Sequence, residues 1–192
     1  MVIEINFVTR NRHKVQEVKR ILKPFDINVN HLDLDYDELH DLAISEVAKF
    51  SAKRIAEELQ KPIVLEDTGV FFEACNDFPG ALPKAVFKGI GHEGIFRLLK
   101  DQDRRAYFMT VAAYCEPGKE PILFEGRMDG TITEEVKNPK ADVMPYDYIF
   151  IPKGEFRAIS EMSEDEKNYI SQRAQAFTKL AEFLKKKDED SN

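Results

Sequence analysis

The chain has 192 residues, 43% of them hydrophobic, and a formal net charge of −7 from 28 Lys and Arg against 35 Asp and Glu. That length suits one domain with a buried core, and no apolar run approaches the roughly 20 residues of a membrane span. The start Met1-Val2-Ile3-Glu4 has no signal-peptide pattern, so a cytoplasmic protein is expected rather than a membrane or secreted one. Net acidity argues against coating a nucleic acid polymer but leaves open a nucleotide-sized anion held by a few local lysines.

In chain order, Met1 to Thr9, with Val2, Ile3, Ile5, Phe7 and Val8, predicts a strand rich in β-branched residues, stopping at Thr9-Arg10-Asn11. Asn11 is a helix cap for His13 to Leu22, which Pro24 ends. Ile27 to Leu34 reads as extended. Ile44, Val47, Ala48, Ser51, Ala52, Ile55, Ala56 and Leu59 then fall on one face of a long helix. After Pro62, Ile63-Val64-Leu65 is a short strand that ends in Glu66-Asp67-Thr68-Gly69, and Val70 to Ala74 is extended again. Asn76 to Pro83 is expected as a loop and Glu93 to Leu99 as a short helix. Ala106 to Tyr114 and Ile122 to Met128 form a hairpin, with Gly130 as a bend before Thr131-Ile132-Thr133. Tyr148 to Ile151 is a further strand, and Ser163-Glu164-Asp165-Glu166 is a capping box opening a long C-terminal helix. Early alternation followed by strand after strand indicates an α/β fold with a mixed sheet. One domain is expected over residues 1–187, with 188–192 a disordered tail. Cys75 and Cys115 match neither a disulfide framework nor a zinc spacing and read as buried thiols.

Three constellations carry chemistry. In Thr9-Arg10-Asn11-Arg12-His13-Lys14 a strand runs into a helix N-terminus, where unpaired amides and the dipole favour an anion. Thr9 and Asn11 add short polar arms and Lys14 a full charge, without the glycines of a P-loop. Glu66 and Asp67, together with Asp33-Leu34-Asp35-Tyr36-Asp37-Glu38, supply carboxylates of the kind that hold Mg²⁺ alongside phosphate oxygens. Late in the chain come Tyr146-Asp147, Lys167 and Arg173; Asp147 is an acceptor for a base or ribose, and the two cations suit a phosphate or carbonyl oxygen. On an unbroken helix Lys167 and Arg173 point about 120° apart, so a shared ligand requires a break near Ile170-Ser171. Each set taken alone is equally a capped helix, a solvated acidic loop or an exposed charged face.

Together they resemble the inosine triphosphate pyrophosphatase family. The likeness rests on Thr9-x-Asn11-x-x-Lys14, Glu66-Asp67-Thr68-Gly69, Phe78-Pro79-Gly80, Tyr146-Asp147 and Glu166-Lys167-Asn168 with Ser171-x-Arg173, in this order over nearly the whole chain. The resemblance implies a long mixed sheet with helices on both faces, two lobes flanking a nucleotide cleft, and a homodimer. It implies Mg²⁺-dependent hydrolysis of ITP, dITP and XTP to monophosphate and pyrophosphate. Thr9, Asn11 and Lys14 would hold the triphosphate, with Thr68, Lys53 and Lys84 as further substrate contacts. Glu38, Asp67 and Glu66 would bind Mg²⁺, Asp67 also serving as general base, with Lys14 and Lys53 in catalytic roles. Met144, Tyr146, Asp147, Lys167, Gln172 and Arg173 would hold the rest of the nucleotide. Two positions depart from the family pattern: Met144 stands where an aromatic ring stacks on the purine, and Gln172 where a histidine reads the 6-oxo group. That departure favours, as alternatives, a different or broader set of triphosphates with the same chemistry. A nucleotide-binding regulator with little turnover is the non-enzymatic alternative.

Overall fold

Strand β1 (Ile3–Val8) is the hub of a parallel half-sheet. It pairs with β2 (Ile27–Leu32) along its full length and with β3 (Ile63–Phe72) through Phe7 and Val8. Each return to the sheet is made by a helix, α1 (Arg12–Leu22) and then α2 (Ile44–Leu59), as parallel neighbours require. The structure, a computed structural model, describes residues 3–34 and 43–190. Beyond β3 the sheet turns antiparallel, through β5 (Arg105–Cys115), β6 (Ile122–Ile132) and β7 (Phe150–Pro152), in the order β2-β1-β3-β5-β6-β7. Short β4 (Phe78–Gly80) folds back on β3. A kinked helix α3 (Pro83–Leu98) follows it, and α4 (Glu164–Ile170) and α5 (Gln172–Asp190) end the fold. The sheet is mixed, as the order of elements predicts.

The pleat sorts β3 into two faces. Ile63 and Leu65 face α2, in a core with Val8, Ala48, Ile55, Val111 and Ala113. On the opposite face Val64 packs with Phe7, Val18, Phe177 and Leu180 between the sheet, α1 and α5. Further along that same face Val70 and Phe72 join a second core with Ile95, Phe108, Tyr146 and Phe150. Between these two cores the inward positions are Glu66 and Thr68, the latter opposite Thr110 of β5. A polar band thus crosses the sheet where one apolar core stops and the other begins.

The Glu66-Asp67-Thr68-Gly69 segment corrects the expectation of a strand end. It lies in the middle of β3, each residue paired in register with Ala112, Val111, Thr110 or Met109. A full backbone ladder outweighs the local polarity of the run. The expected loop at 76–83 contains β4, and the expected short helix starts ten residues early, at Pro83. Strand β6 continues through Gly130 to Ile132, and a turn of 3₁₀ helix over Pro145–Tyr148 replaces the start of the expected last strand. Helix α5 runs on through Asp190, into the stretch expected as a disordered tail. Cys115 is buried and Cys75 half-buried, both as free thiols.

The capping box is present: Ser163 Oγ accepts from the Glu166 amide at 3.2 Å and Glu166 Oε2 from the Ser163 amide at 2.8 Å. The helix it opens is broken at Ser171, whose extended backbone (φ −69°, ψ 150°) separates α4 from α5. Ser171 Oγ then accepts from the Ala174 amide at 3.0 Å and caps α5. The new helix starts directly over Gly126 of β6, where any Cβ would lie 1.9 Å from the Gln172 carbonyl oxygen. Only glycine permits that approach, and it sets Gln172 and Arg173 down on the polar band.

Candidate functional site

Helix α1 begins at the end of β1, and Asn11 caps it by accepting from the amides of His13 (3.0 Å) and Lys14 (3.4 Å). Thr9 Oγ1 accepts from the Asn11 amide at 3.2 Å, so the Thr9-Arg10-Asn11 turn is held by its own side chains. One turn on, Lys14 Nζ lies 2.7 Å from Glu66 Oε1 in the polar band.

Glu66 is the centre of the cluster. Its carboxylate takes a two-pronged contact from Arg173, Nε to Oε2 at 3.2 Å and Nη2 to Oε1 at 3.3 Å. Thr68 Oγ1, itself 2.7 Å from Thr110 Oγ1, donates to Glu66 Oε2 at 3.1 Å. The Arg173 guanidinium also bonds Glu17 on α1, and Glu17 in turn lies 2.7 Å from Lys167 Nζ. Lys167 completes the chain with Asp147 Oδ2 at 2.6 Å. Lys14, Lys167 and Arg173 balance Glu17, Glu66 and Asp147, so the cluster is neutral although Arg173 and Glu66 have fully buried side chains. Burial alone would push the Glu66 carboxyl up, but Arg173 and then Lys14 hold it down to about 2. Glu17 is likewise held low by Arg173 and Lys167 against burial. Burial works against charge on Lys167, yet Asp147 and Glu17 raise it above its ordinary value.

The break at Ser171 is what lets Lys167 and Arg173 converge, here on the two oxygens of Glu17. Glu17 itself escaped the sequence reading. Its signal was a carboxylate three residues past Lys14, beside Val15, Val18 and Ile21 on the inward side of α1. Thr110, a polar residue in an apolar strand, was missed for the same reason.

The cluster gathers Lys14, Glu66, Thr68, Asp147, Lys167 and Arg173 of the expected site residues, with Thr9 and Asn11 on its rim. Asn11 Nδ2 also lies 3.9 Å from Met144 Sδ, which brings the Met144–Asp147 turn beside the α1 N-terminus. Tyr146 is buried, its hydroxyl donating to the Pro83 carbonyl at 3.0 Å. Gln172 is buried beside Arg173, and its Oε1 has no hydrogen-bond partner among the described residues. Both oxygens of Glu66 are engaged, by two cations and a hydroxyl. Asp67, the next residue of β3, is half-buried, points to the α2 face and accepts from the Thr68 amide at 2.9 Å. Glu38 lies outside the described residues. Lys84 is exposed in the first turn of α3, and Lys53 pairs with Glu120 in the β5–β6 hairpin turn. No group of three or more His, Cys, Asp or Glu able to hold a metal is present among the described residues, and no helix there is long and apolar enough to cross a membrane.

Residues 5–183 match the sequence profile of the Ham1 family. A protein of Methanopyrus kandleri named dITP/XTP pyrophosphatase is 41% identical over 184 residues, 95% of this chain and 97% of its own length. A protein of the same name from Thermococcus kodakarensis is 38% identical, over 95% of this chain and 98% of its own. Among solved structures, the Staphylococcus aureus Ham1 protein superposes with a TM-score of 0.79 at 25% identity, over 96% of this chain and 99% of that one. A dITP/XTP pyrophosphatase from Mycobacterium abscessus gives 0.69 at 26% identity, over 93% and 97%.

Proposed function

The chain belongs to the Ham1 family, and from that premise we propose that it is a nucleoside triphosphate pyrophosphatase acting on the deaminated purine nucleotides dITP, ITP and XTP. The observation that carries the reading is the neutral cluster running from Lys14 to Asp147, which joins a helix N-terminus suited to phosphate to a turn suited to a base. Lys14 is the member best placed to turn toward a phosphate: its side chain is 18% exposed, whereas Arg173 is fully enclosed. Thr9 and Asn11 bind beside it, at the positive end of the α1 dipole. Arg173 and Lys167 act by holding Glu66, Glu17 and Asp147 in place. Met144, Tyr146, Asp147 and Gln172 form the base end, and Lys84 is a further phosphate contact. Lys53, engaged with Glu120, is left out of this assignment.

In the reaction a water attacks the α-phosphorus, the bond to the bridging oxygen of pyrophosphate breaks, and Asp67 accepts the proton of the water. Asp67 and Glu38 have the hard oxygen donors that Mg²⁺ takes, and when bound the ion would offset negative charge on the phosphate oxygens. The pleat turns Asp67 to the face of β3 opposite Glu66. Work in the cytoplasm and as a homodimer belongs to the same proposal.

The base end supports a second reading, the same chemistry on a broader set of triphosphates. A glutamine amide donates to a 6-oxo group but equally accepts from a 6-amino group, and Gln172 Oε1 has no partner among the described residues. Pyrophosphate release from dITP, ITP, XTP, ATP, GTP, CTP and UTP decides between the readings. A preference of about 100-fold for the deaminated purines, about 2.7 kcal/mol, supports the first and near-equal rates the second. Asp67→Asn is expected to lower kcat at least about 100-fold while nucleotide still binds. Nucleotide binding without pyrophosphate release by the unaltered protein would mean a regulator instead.

A further inference from the structure

Resting on the reading that Met144–Asp147 faces the base, we propose that His92 is a positioning residue which fixes that turn from behind. The turn is held from within by two backbone bonds, the Asp147 amide to the Met144 carbonyl at 2.9 Å and the Ile149 amide to the Tyr146 carbonyl at 3.1 Å. Two further bonds come from α3: the Tyr146 hydroxyl donates to the Pro83 carbonyl at 3.0 Å, and His92 Nε2–H donates to the Pro145 carbonyl at 2.7 Å. The carbonyl can only accept, so the Nε2-protonated form of the ring is the one that makes the bond.

The ring is boxed in by aromatics: Phe87 at 4.8 Å, Tyr148 at 5.9 Å and Phe96 at 6.3 Å between centroids. Phe87 also lies 6.3 Å from the Tyr146 ring, so one side chain packs against the histidine and against the turn it holds. The geometry depends on a kink. Gly91 has φ 60° and ψ −170° inside α3, a conformation costly for any residue with a Cβ. On a straight helix the residues after 90 would continue around the axis; the kink sets where His92 stands. Bonds from both sides of the kink, at Pro83 and His92, thus clamp the turn whose Asp147 ends the ion-pair cluster and whose Met144 meets Asn11.

Two variants separate this role from simple packing. His92→Phe keeps the ring contacts and loses the donor; His92→Gln places an amide N–H near the position of Nε2 and keeps it. In His92→Phe, hydrogen exchange at the amides of Asp147 and Ile149 is expected to speed up several-fold while α1 amides are unchanged, and His92→Gln restores the slow rate. KM for dITP is expected to rise about fivefold with kcat within about twofold, the size of one lost hydrogen bond. Inhibition by inorganic tripolyphosphate, which has no base, is expected to stay the same. Unchanged exchange in His92→Phe would overturn the inference, as would a KM rise matched by an equal loss of tripolyphosphate binding. An unaltered protein that turned over no nucleotide would end the proposed function, and the exchange comparison alone would then decide for or against His92.

Discussion

Glu66 is one of two charged side chains of the cluster that are fully enclosed, Arg173 being the other. It is a fully buried carboxylate whose ionised form costs several kcal/mol to desolvate, kept ionised by Arg173 and Lys14. Removing its charge leaves those two cations facing a neutral amide in the interior. Glu66→Gln is therefore expected to destabilise the fold by about 3–5 kcal/mol, the usual cost of breaking a buried pair from one side. Denaturant titration of the variant against the parent measures it. A loss below about 1 kcal/mol would show that Glu17 alone suffices to neutralise Arg173. Thr68 donates to Glu66 and is itself bonded to Thr110, so a hydroxyl joins the two cations around the carboxylate.

At the scale of elements, the decisive contact is the first turn of α5 against β6. Gly126 leaves room for the Gln172 carbonyl, and Gln175 then anchors the turn, accepting from the Arg127 amide at 3.2 Å and donating to its carbonyl at 2.9 Å. Gly126→Ala puts a methyl group 1.9 Å from the Gln172 oxygen, so α5 must lift. The expected cost is about 1–3 kcal/mol of stability, as for other overpacked contacts. A larger expected effect is on function, because Arg173 and Gln172 move with the helix. Comparing kcat/KM for dITP in Gly126→Ala with the parent checks this; equal values would mean the helix yields elsewhere.

For the whole molecule, the cluster couples stability to pH. Glu66 is held at about 2 and Glu17 is also lowered, so both bind protons less readily folded than unfolded. A carboxylate with a depressed folded value adds stability that is complete above its unfolded value near 4.5 and is lost as pH falls toward the folded one. Thermal midpoints are therefore expected to hold down to about pH 5 and to fall steeply between about 4.5 and 2. In Glu66→Gln that acid limb should be shallower, which a set of melting curves across this range resolves. The cluster lies between two apolar cores, around Phe177 and around Phe150, so its protonation bears on both.

The sequence by itself determined the mixed α/β class, the apolar face of α2, the Asn11 cap and the capping box at Ser163, because each rests on periodicity or on contacts within a few residues. It also determined that Lys167 and Arg173 could meet only across a break near Ser171. What tertiary structure decided was where those motifs point. Glu66 and Asp67 are neighbours in the chain, yet pairing with β5 puts them in one strand and the pleat sends them to opposite faces, one among cations and the other toward α2. Glu17, Thr110 and His92 carry no motif; they join the site only because α1, β5 and the Gly91 kink bring them there. Such partners lie tens of residues away, and their pairing energy belongs to the folded arrangement, not to any local stretch of chain.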